Sequence, residues 1–283
     1  MLDRFPLTQD DFRLNFGVRA IPPHEPLIVA TDEYTAEIQL KQHLLRDQLD
    51  KCWAATPASA PAQAEAVDLL RSRCDERHPL LSSRDHGSNG DSEPALLAIG
   101  RLIQEDLILL SDDAPQGFPI IAGSVCFPSG WALSDKLGQL QSCVHAAVPN
   151  FKQQLLSPSL KLLARLKAGR SVSRSNWSVR ALGRLNQFPC DAAEIRTASE
   201  AVTPQTAAEC MFRVEFQTLS RLAETRAILF TIHTFQRPLK TLLPPERTRL
   251  ARVIETCPEP TLRYKGIWPM RASVIAWLTA ENA

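Results

Sequence analysis

Apolar side chains recur with helical spacing in the first quarter of the chain. In residues 36–53 the apolar positions fall on one helical face: Ile38, Leu40, Leu44, Leu45, Leu49 and Trp53. A break rich in proline and alanine, ATPASAPAQA, separates this run from a second helical run through AVDLLRSRC. The pattern predicts a helical hairpin over about residues 36–75. Residues 82–94 are polar and rich in Gly, Ser and Asp, which favours a mobile loop.

The second half of the chain alternates between strand and helix patterns. PIIAGSVCF (residues 119–127) predicts a buried strand, and residues 211–219 and 226–235 predict two strands joined by a short, hairpin-like connection. Residues 151–169 predict a helix that Pro158 interrupts and Gly169 ends. Two more helices are expected near residues 245–256 and 271–280. We therefore expect an α+β fold in which helices flank an antiparallel sheet, as a single continuous domain over residues 1–283.

Composition narrows the class of protein. The chain is 44% hydrophobic and 22% charged, and its formal net charge is +1, so no overall field attracts nucleic acid or anionic lipid. The sequence has no apolar signal core and no run of about 18 apolar residues, so we expect a cytoplasmic protein that binds neither nucleic acid nor membrane. Seven scattered cysteines without a CxxC pair predict free, mostly buried thiols.

Several common catalytic motifs are absent from the sequence. It has no GxGxxG, no GxxxxGK[ST] and no GxSxG, which argues against direct dinucleotide binding and against a serine nucleophile elbow. It also lacks HExxH and any close His, Asp and Glu triplet suited to zinc or non-haem iron. NADPH is therefore not expected to bind this chain.

Among the six histidines, His145 stands apart. His24, His43 and His78 lie in loop or charged settings that predict solvated side chains, and His86 falls in the predicted mobile loop. His145 lies in GQLQSCVHAAVPNF among small and apolar neighbours, so we expect it to be shielded from water. It could be a core histidine that bonds to the backbone. It could also be a ligand beside a flat cofactor, which the small neighbours Ala146 and Ala147 leave space to accommodate.

Arg213 and Glu215 form a second candidate pair. Strand alternation places both on one face, opposite Phe212, Val214 and Phe216. They could belong to a solvent-exposed sheet face with a weak ion pair. Alternatively they line a pocket, where Arg213 would fix a carboxylate and Glu215 would orient it or meet a cation.

Four segments, in order, carry a resemblance to a known family. They are IQEDLILLSDD, GSVCFPSGWALSDKLGQLQSCVHAAVP, SRSNWSV and FRVEFQTLSRLAETRAILFTIHTF. Together with FRLNFGVRAI and DEYTAEIQLKQHLL near the N-terminus, they resemble the haem-dependent oxidative N-demethylase family over nearly the whole chain. The long block from CFPSGW to the Val-Pro after His145 is the most distinctive.

The resemblance implies a PAS-like fold and a haem b monooxygenase. It implies that a small methylated amine is oxidised with O2 as co-substrate and releases formaldehyde, while a separate flavin or iron–sulfur reductase delivers electrons from NADPH. His145 matches the family's His-x-x-Val-Pro pattern as the iron ligand, and Arg213 and Glu215 match its Arg-Val-Glu. Arg213 and Glu215 are therefore candidate catalytic residues, with Arg213 also over the haem.

Two tryptophans and four departures complete the interpretation. Trp131 is a candidate haem contact, with core packing as the alternative, and Trp177 could attract a cationic substrate. The family usually has Pro at the position of Ala147, Arg at Phe216 and Pro at Ala223, and Arg is expected at His233. These departures bear on the substrate. A haem sensor or carrier, and a haem N-oxygenase of another amine, remain alternative functions.

Overall fold

A seven-stranded antiparallel sheet organises the molecule. The structure is a computed structural model, and it describes residues 5–14, 17–82 and 93–280. Within these ranges the strands are β1 (Arg19–Ile21), β2 (Trp53–Ala55), β3 (Asp106–Leu110), β4 (Ile120–Ser124), β5 (Ser171–Arg180), β6 (Met211–Arg221) and β7 (Ile228–Pro238). Their order across the sheet is β1-β5-β6-β7-β3-β4-β2, and every neighbouring pair is antiparallel.

Helices surround this sheet. Those of the described residues are α1 (Tyr34–Asp47), α2 (Leu49–Cys52), α3 (Ala60–Ser72), α4 (Pro79–Ser82), α5 (Ala95–Gly100), α6 (Gln141–Val144), α7 (Leu156–Arg165), α8 (Ala192–Glu200), α9 (Pro244–Thr256), α10 (Glu259–Tyr264) and α11 (Arg271–Thr279). The predicted α+β class, an antiparallel sheet with flanking helices, is confirmed. The PAS-like character of that fold stays a prediction.

The two predicted N-terminal helices are present as α1 and α3, with an edge strand between them. Trp53–Ala55 pairs with Ser124–Ala122 at the end of the sheet. Trp53, predicted to end the first helical run, therefore belongs to a strand, and the alanine-rich break contributes only Ala55 to it. Pro61, in the first turn of α3, has no N–H to leave unsatisfied there. Of the predicted loop at residues 82–94, residues 83–92 lie outside the described part of the chain.

The three long strands β5, β6 and β7 form the centre of the sheet. The predicted strands at residues 211–219 and 226–235 are confirmed as β6 and β7, which pair along their full length from Met211 opposite Pro238 to Arg221 opposite Ile228. β5 was not predicted, because SVSRSNWSVR has mostly polar side chains on both faces. Its pairing with β6 sets Asn176 opposite Glu215.

The helix predicted over residues 151–169 begins as a π-helical turn at Phe151–Leu155 and continues as α7. Pro158 does not interrupt it. The proline lies in the first turn of α7, where its ring fits the helical φ and its missing N–H costs little. The helix ends at Arg165, before the predicted stop at Gly169, whose φ is +68°. α10 is an additional short turn of helix between the two predicted C-terminal helices.

Helices cover the sheet in separate groups. Leu107, Leu109 and Leu229 pack against the group formed by α3 and α5. Farther along, Phe212 and Val214 pack against α9, α10 and α11. Leu219 and Ile232 contact the group that contains α7. Because the side chains of a strand alternate between faces, Leu219 and Ile232 lie on the face opposite to Val214 and Leu229.

One histidine prediction is wrong. His78, expected to be solvated, exposes only 2% of its surface. Its Nδ1 accepts a hydrogen bond from the Leu80 N–H at 3.1 Å, and its ring meets the edge of Tyr34 at 5.3 Å. The charged residues before it mark a surface segment, but Pro79 starts a helix that turns the imidazole inward.

His233, where the family is expected to have Arg, is also buried. Its Nδ1 lies 3.0 Å from Glu105 Oε1. The adjacent Asp106 pairs with fully buried Lys41 at 3.3 Å and accepts hydrogen bonds from two backbone N–H groups. A buried charge is tolerated when it is paired and bonded in this way.

No helix in the described ranges has the length and apolar character needed to cross a membrane. All seven cysteines are free, as predicted, and four of them are buried: Cys52, Cys126, Cys210 and Cys257.

Candidate functional site

A cavity of about 390 Å³ lies against the sheet face that carries Glu215 and Gln217. The strand part of its wall is mostly aliphatic and aromatic, with Ile108, Leu110, Ile120, Leu219, Phe230 and Ile232. The register explains this grouping, because Gln217 lies opposite Ile232, and Leu219 opposite Phe230. Cross-strand neighbours share a face, so the residues form one continuous wall.

His145 lies in a second wall, at the end of α6. Its Nδ1 is 3.0 Å from the carbonyl oxygen of Gln141, one helical turn earlier. A carbonyl can only accept, so Nδ1 carries the proton and Nε2 keeps its lone pair. The ring also stacks on Phe151, with centroids 4.5 Å apart and planes 10° from parallel. One ring nitrogen is therefore held and the other is left for a ligand.

The protonation state of His145 suits metal binding. Burial lowers the pKa of the imidazole, the Gln141 hydrogen bond raises it, and the charges of Arg174 and Lys136 lower it again, with a net direction downward. The neutral form that ligates metals is therefore favoured at neutral pH. The sequence predicted that the neighbours of His145 would shield it from water. This is wrong, because Cys143, Ala146 and Ala147 are exposed, and His145 itself is only half-buried.

Glu215 lines the cavity from the middle of β6. Its side chain is 15% exposed and accepts hydrogen bonds from Gln217 Nε2 at 3.2 Å and Asn176 Nδ2 at 3.4 Å. Burial by itself raises the pKa of this carboxyl, but the charges of Arg213 and Arg180 and the Asn176 hydrogen bond lower it, and the net direction is downward. The group is thus held as a carboxylate.

Arg213 lies behind Glu215 and is not among the described residues that line the cavity. It is fully buried, with Nε 3.7 Å from Glu215 Oε1. Its other nitrogens donate to the carbonyls of Leu185 at 2.9 Å and Phe127 at 2.6 Å. The alternative of an exposed face with a weak ion pair is excluded. Two backbone carbonyls hold the guanidinium away from the cavity lining, and the contact of Arg213 with haem stays a prediction.

The two candidate tryptophans both line the cavity. Trp131 is half-buried and also packs against the apolar group around α7. Trp177 is 8% exposed, but its ring already has a cation: the ammonium of Lys265 lies 4.8 Å from the ring centroid. The same ammonium donates to the Trp177 carbonyl at 2.6 Å and to Asn176 Oδ1 at 3.1 Å.

Three cationic side chains at the cavity were not predicted from the sequence. Arg174, on β5, stands opposite Gln217, and Lys136 and Lys265 line other walls. Burial lowers the pKa of Lys265 to about 8, and the charges of Arg180 and Arg174 act in the same direction. Recognising β5 as a strand would have placed Arg174 by its register. Nothing in the local pattern around Lys265 signals a site, because α10 folds over the cavity through tertiary packing.

The N-terminal segment Phe5–Leu14 forms a further wall. Pro6, Leu7 and Phe12 line the cavity, although the segment has no regular secondary structure. It is held by packing of the Phe5 ring on Phe212 at 5.3 Å and by a hydrogen bond from the Phe12 N–H to Thr256 Oγ1 at 2.8 Å. We call this segment the N-terminal strap.

Comparison with known families gives a match over most of the chain. The model of the family described as haem-dependent oxidative N-demethylase, alpha subunit-like, matches residues 17–275. The chain belongs to this family. Haem dependence and oxidative N-demethylase chemistry are thus the family's properties, and the match contains the cavity except for its N-terminal strap.

The donor set is consistent with that family. Within residues 5–14, 17–82 and 93–280, no three His, Cys, Asp or Glu side chains are grouped so that they could hold a metal ion. Haem iron needs only one or two protein ligands, because the macrocycle supplies the other donors. A cavity with one available imidazole, apolar walls and several cations matches a flat apolar ring bearing two carboxylates.

Proposed function

We propose that this chain is the haem-binding catalytic subunit of an oxidative N-demethylase, with His145 as the iron ligand. The observation that carries the proposal is the Nδ1–Gln141 bond, because it leaves Nε2 of a cavity-lining imidazole as the ligating atom. Such a backbone bond also orients a metal-bound imidazole and tunes its donor strength. The family match supports the same cofactor.

The cavity walls would hold haem b by two kinds of contact. Ile108, Leu219 and Phe230 offer apolar surface to the macrocycle, and Trp131 is positioned to add to it. Arg174 and Lys136, rather than Arg213, would pair with the propionates, since charged pairs in a shielded site are strong. Haem bound in this way supplies activation of O2, which with two electrons and two protons converts an N-methyl amine into the demethylated amine, formaldehyde and water.

Glu215 is the residue we assign to the substrate. A carboxylate whose pKa lies below its usual value accepts hydrogen bonds from the ammonium group of a small methylated amine. Arg213 acts through Glu215. Hydrogen bonds to two backbone carbonyls fix the Arg213 guanidinium, and the guanidinium holds the Glu215 carboxylate on the cavity side. Arg213 is thus a positioning residue. The Trp177 ring contacts the ammonium group of Lys265, so we assign it to holding that lysine and not to binding a cationic substrate.

The chain must receive its electrons from a partner. No GxGxxG or GxxxxGK[ST] loop occurs in the sequence, and its cysteines are scattered, so a separate flavin or iron–sulfur reductase would carry electrons from NADPH. The family description, alpha subunit-like, agrees with a protein of several components. We also propose that the chain is a single PAS-like domain. A hydrogen bond from the N-terminal strap to Thr256, at the end of α9, supports this, because it joins distant parts of the chain.

The test is spectroscopic and chemical. Purified protein reconstituted with haem should give a Soret band that shifts when methylated amines are added, and should form formaldehyde only with NADPH and a reductase. Haem-replete protein that is folded but colourless would reject the proposal. A Soret band without amine-dependent O2 consumption would favour a sensor or carrier, and a hydroxylated nitrogen product without formaldehyde would favour an N-oxygenase.

A further inference from the structure

Exposed cations are concentrated on the part of the chain that carries His145. Residues 136–190 contain nine Lys and Arg and no Asp or Glu, although the whole chain has 32 Lys and Arg and 31 Asp and Glu. Five of the nine are exposed, and none of the five forms a salt bridge within the described residues: Lys152, Lys161, Arg165, Lys167 and Arg170. We call these five residues the basic surface.

The residues of the basic surface lie along α7 and at its two ends. Lys161 and Arg165 are four residues apart, so they lie one above the other on the helix. Lys152 belongs to the π-helical turn that runs directly into α7. Beyond the helix the chain turns back, where the Arg170 N–H donates to the Lys167 carbonyl at 3.0 Å. Cations gathered in this way create a local field although the net charge of the chain is near zero.

The same helix forms a wall of the cavity. Ser159, Leu162 and Leu163 of α7 line the cavity, while Lys161 and Arg165 are exposed. A partner bound to the basic surface would therefore be separated from the cavity by the thickness of one helix. Electron transfer becomes steeply slower with distance, so a donor benefits from docking at this place.

The chemistry of the basic surface favours a protein over nucleic acid or lipid. Single-stranded nucleic acid needs aromatic stacking platforms, and none of the five residues is aromatic, while nearby Phe151 is buried. A membrane-binding helix needs an exposed apolar face. No large hydrophobic side chain between residues 152 and 170 is exposed, because the leucines of α7 pack into the core.

We propose that the basic surface docks the acidic face of the protein that supplies electrons, an inference that rests on the proposed function. One electron would leave the reduced flavin or iron–sulfur centre of the partner and reduce the ferric haem iron to the ferrous state. Complementary charge raises the association rate and fixes the orientation of such a complex. Docking should therefore weaken as salt screens the five cations.

The experiment uses charge reversal with a matched control. The variant K161E/R165E is compared with R77E/R196E, which makes the same change in net charge at exposed arginines without a salt bridge in the described residues. The probe is an acidic two-iron ferredoxin, whose affinity is measured at about 20 mM and about 200 mM ionic strength. We expect K161E/R165E to bind about tenfold more weakly at low salt and the control to change by less than about twofold.

Each outcome decides the proposal. Equal losses in the two variants, or no salt-dependent binding of the ferredoxin, would overturn it. So would binding that depends on the basic surface but occurs only with duplex DNA or with phosphatidylserine-containing vesicles. K161Q/R165Q should show an intermediate loss, which a folding defect would not produce.

Measuring affinity on both haem-free and haem-reconstituted chains separates this proposal from the preceding one. Absence of a Soret band would reject haem binding and leave the docking result standing. When haem is bound, its reduction by the ferredoxin should slow in K161E/R165E in proportion to the affinity. A normal affinity with slow reduction, or the reverse, would contradict docking at this surface.

Discussion

The imidazole of His145 lies parallel to the phenyl ring of Phe151, with centroids 4.5 Å apart and an angle of 10° between the planes. Asn150, just before the π-helical turn, has φ +59°, a left-handed conformation that turns the chain back and brings Phe151 onto the imidazole. The ring of His145 is thus fixed by two contacts, the Gln141 carbonyl at Nδ1 and the face of Phe151.

Replacement of His145 tests the ligand assignment. His145→Ala should lose haem or hold it weakly, because the described residues that line the cavity include no other histidine and no cysteine. The matched control is His43→Ala, since His43 is on the outer side of α1 and pairs with Asp47 at 3.1 Å. Haem content per chain and the Soret band are the measurements. Unchanged occupancy in His145→Ala would refute the assignment.

Phe151→Leu tests the stacking contact. Loss of the ring should let the imidazole rotate, which speeds haem dissociation and changes the spin-state bands. The chain offers a close control in Phe235, whose ring centroid lies 4.2 Å from that of His233. Neither of these two residues is among the described residues that line the cavity. Both variants should lose about 1 kcal/mol of stability from the aromatic contact. Only Phe151→Leu should alter the spectrum, and an equal change in Phe235→Leu would contradict the role.

Arg213 should prove more important for folding than for haem contact. Arg213→Ala leaves the Phe127 and Leu185 carbonyls and the Glu215 carboxylate without their partner, and we expect a loss of about 3–5 kcal/mol in the free energy of unfolding. Arg213→Lys should recover only part of it, because an ammonium lacks the planar fork. Urea unfolding measures this. A loss below about 1 kcal/mol would show that the guanidinium is dispensable.

Glu215 should make the free energy of unfolding depend on pH in the acidic range. Its folded pKa is lowered, so it contributes stability above its ordinary carboxyl pKa, and this contribution is lost as the pH falls through the folded value. Glu215→Gln should flatten unfolding free energy against pH in that acidic window. In the loaded enzyme the same variant should raise KM for the amine more than it lowers kcat. A wild-type acid profile in the variant would argue against the assignment.

Lys265 should titrate within an accessible range. With its pKa lowered to about 8, the ammonium above Trp177 loses its charge near that pH, and the tryptophan fluorescence should change with it. Between the folded value and the ordinary lysine value, stability should rise with pH, because the unfolded chain binds the proton more tightly. Lys265→Met should remove the fluorescence transition near pH 8. Its persistence would assign the transition to another group.

The alternating strands were the part of the fold that the sequence predicted best. In β6, Phe212 and Val214 alternate with Arg213 and Glu215, and a period of two belongs to one structure only. β5 escaped prediction because Ser, Arg and Asn fill positions that the sheet itself buries. The three-residue strand Trp53–Ala55 is too short for any periodicity, and the pairing with β4 alone defines it.

The candidate site was predictable in part. His145 was identified through the resemblance of its segment to a family pattern, because local sequence by itself favoured a core histidine. The separation of Arg213 from the cavity could not be predicted, because the Leu185 and Phe127 carbonyls that bind it come from segments about 28 and 86 residues away in the chain. Lys265 and the N-terminal strap reach the cavity only through tertiary packing, for which the sequence gives no periodic signal.

The walls of the cavity come from both extremes of the chain. Pro6 of the N-terminal strap and Lys265 beside α10 line the same space, and the strap is tied to Thr256. During synthesis, the chain must therefore be made through Lys265 before these walls can meet. The cavity can consequently enclose a prosthetic group only after all seven strands described above have been synthesised.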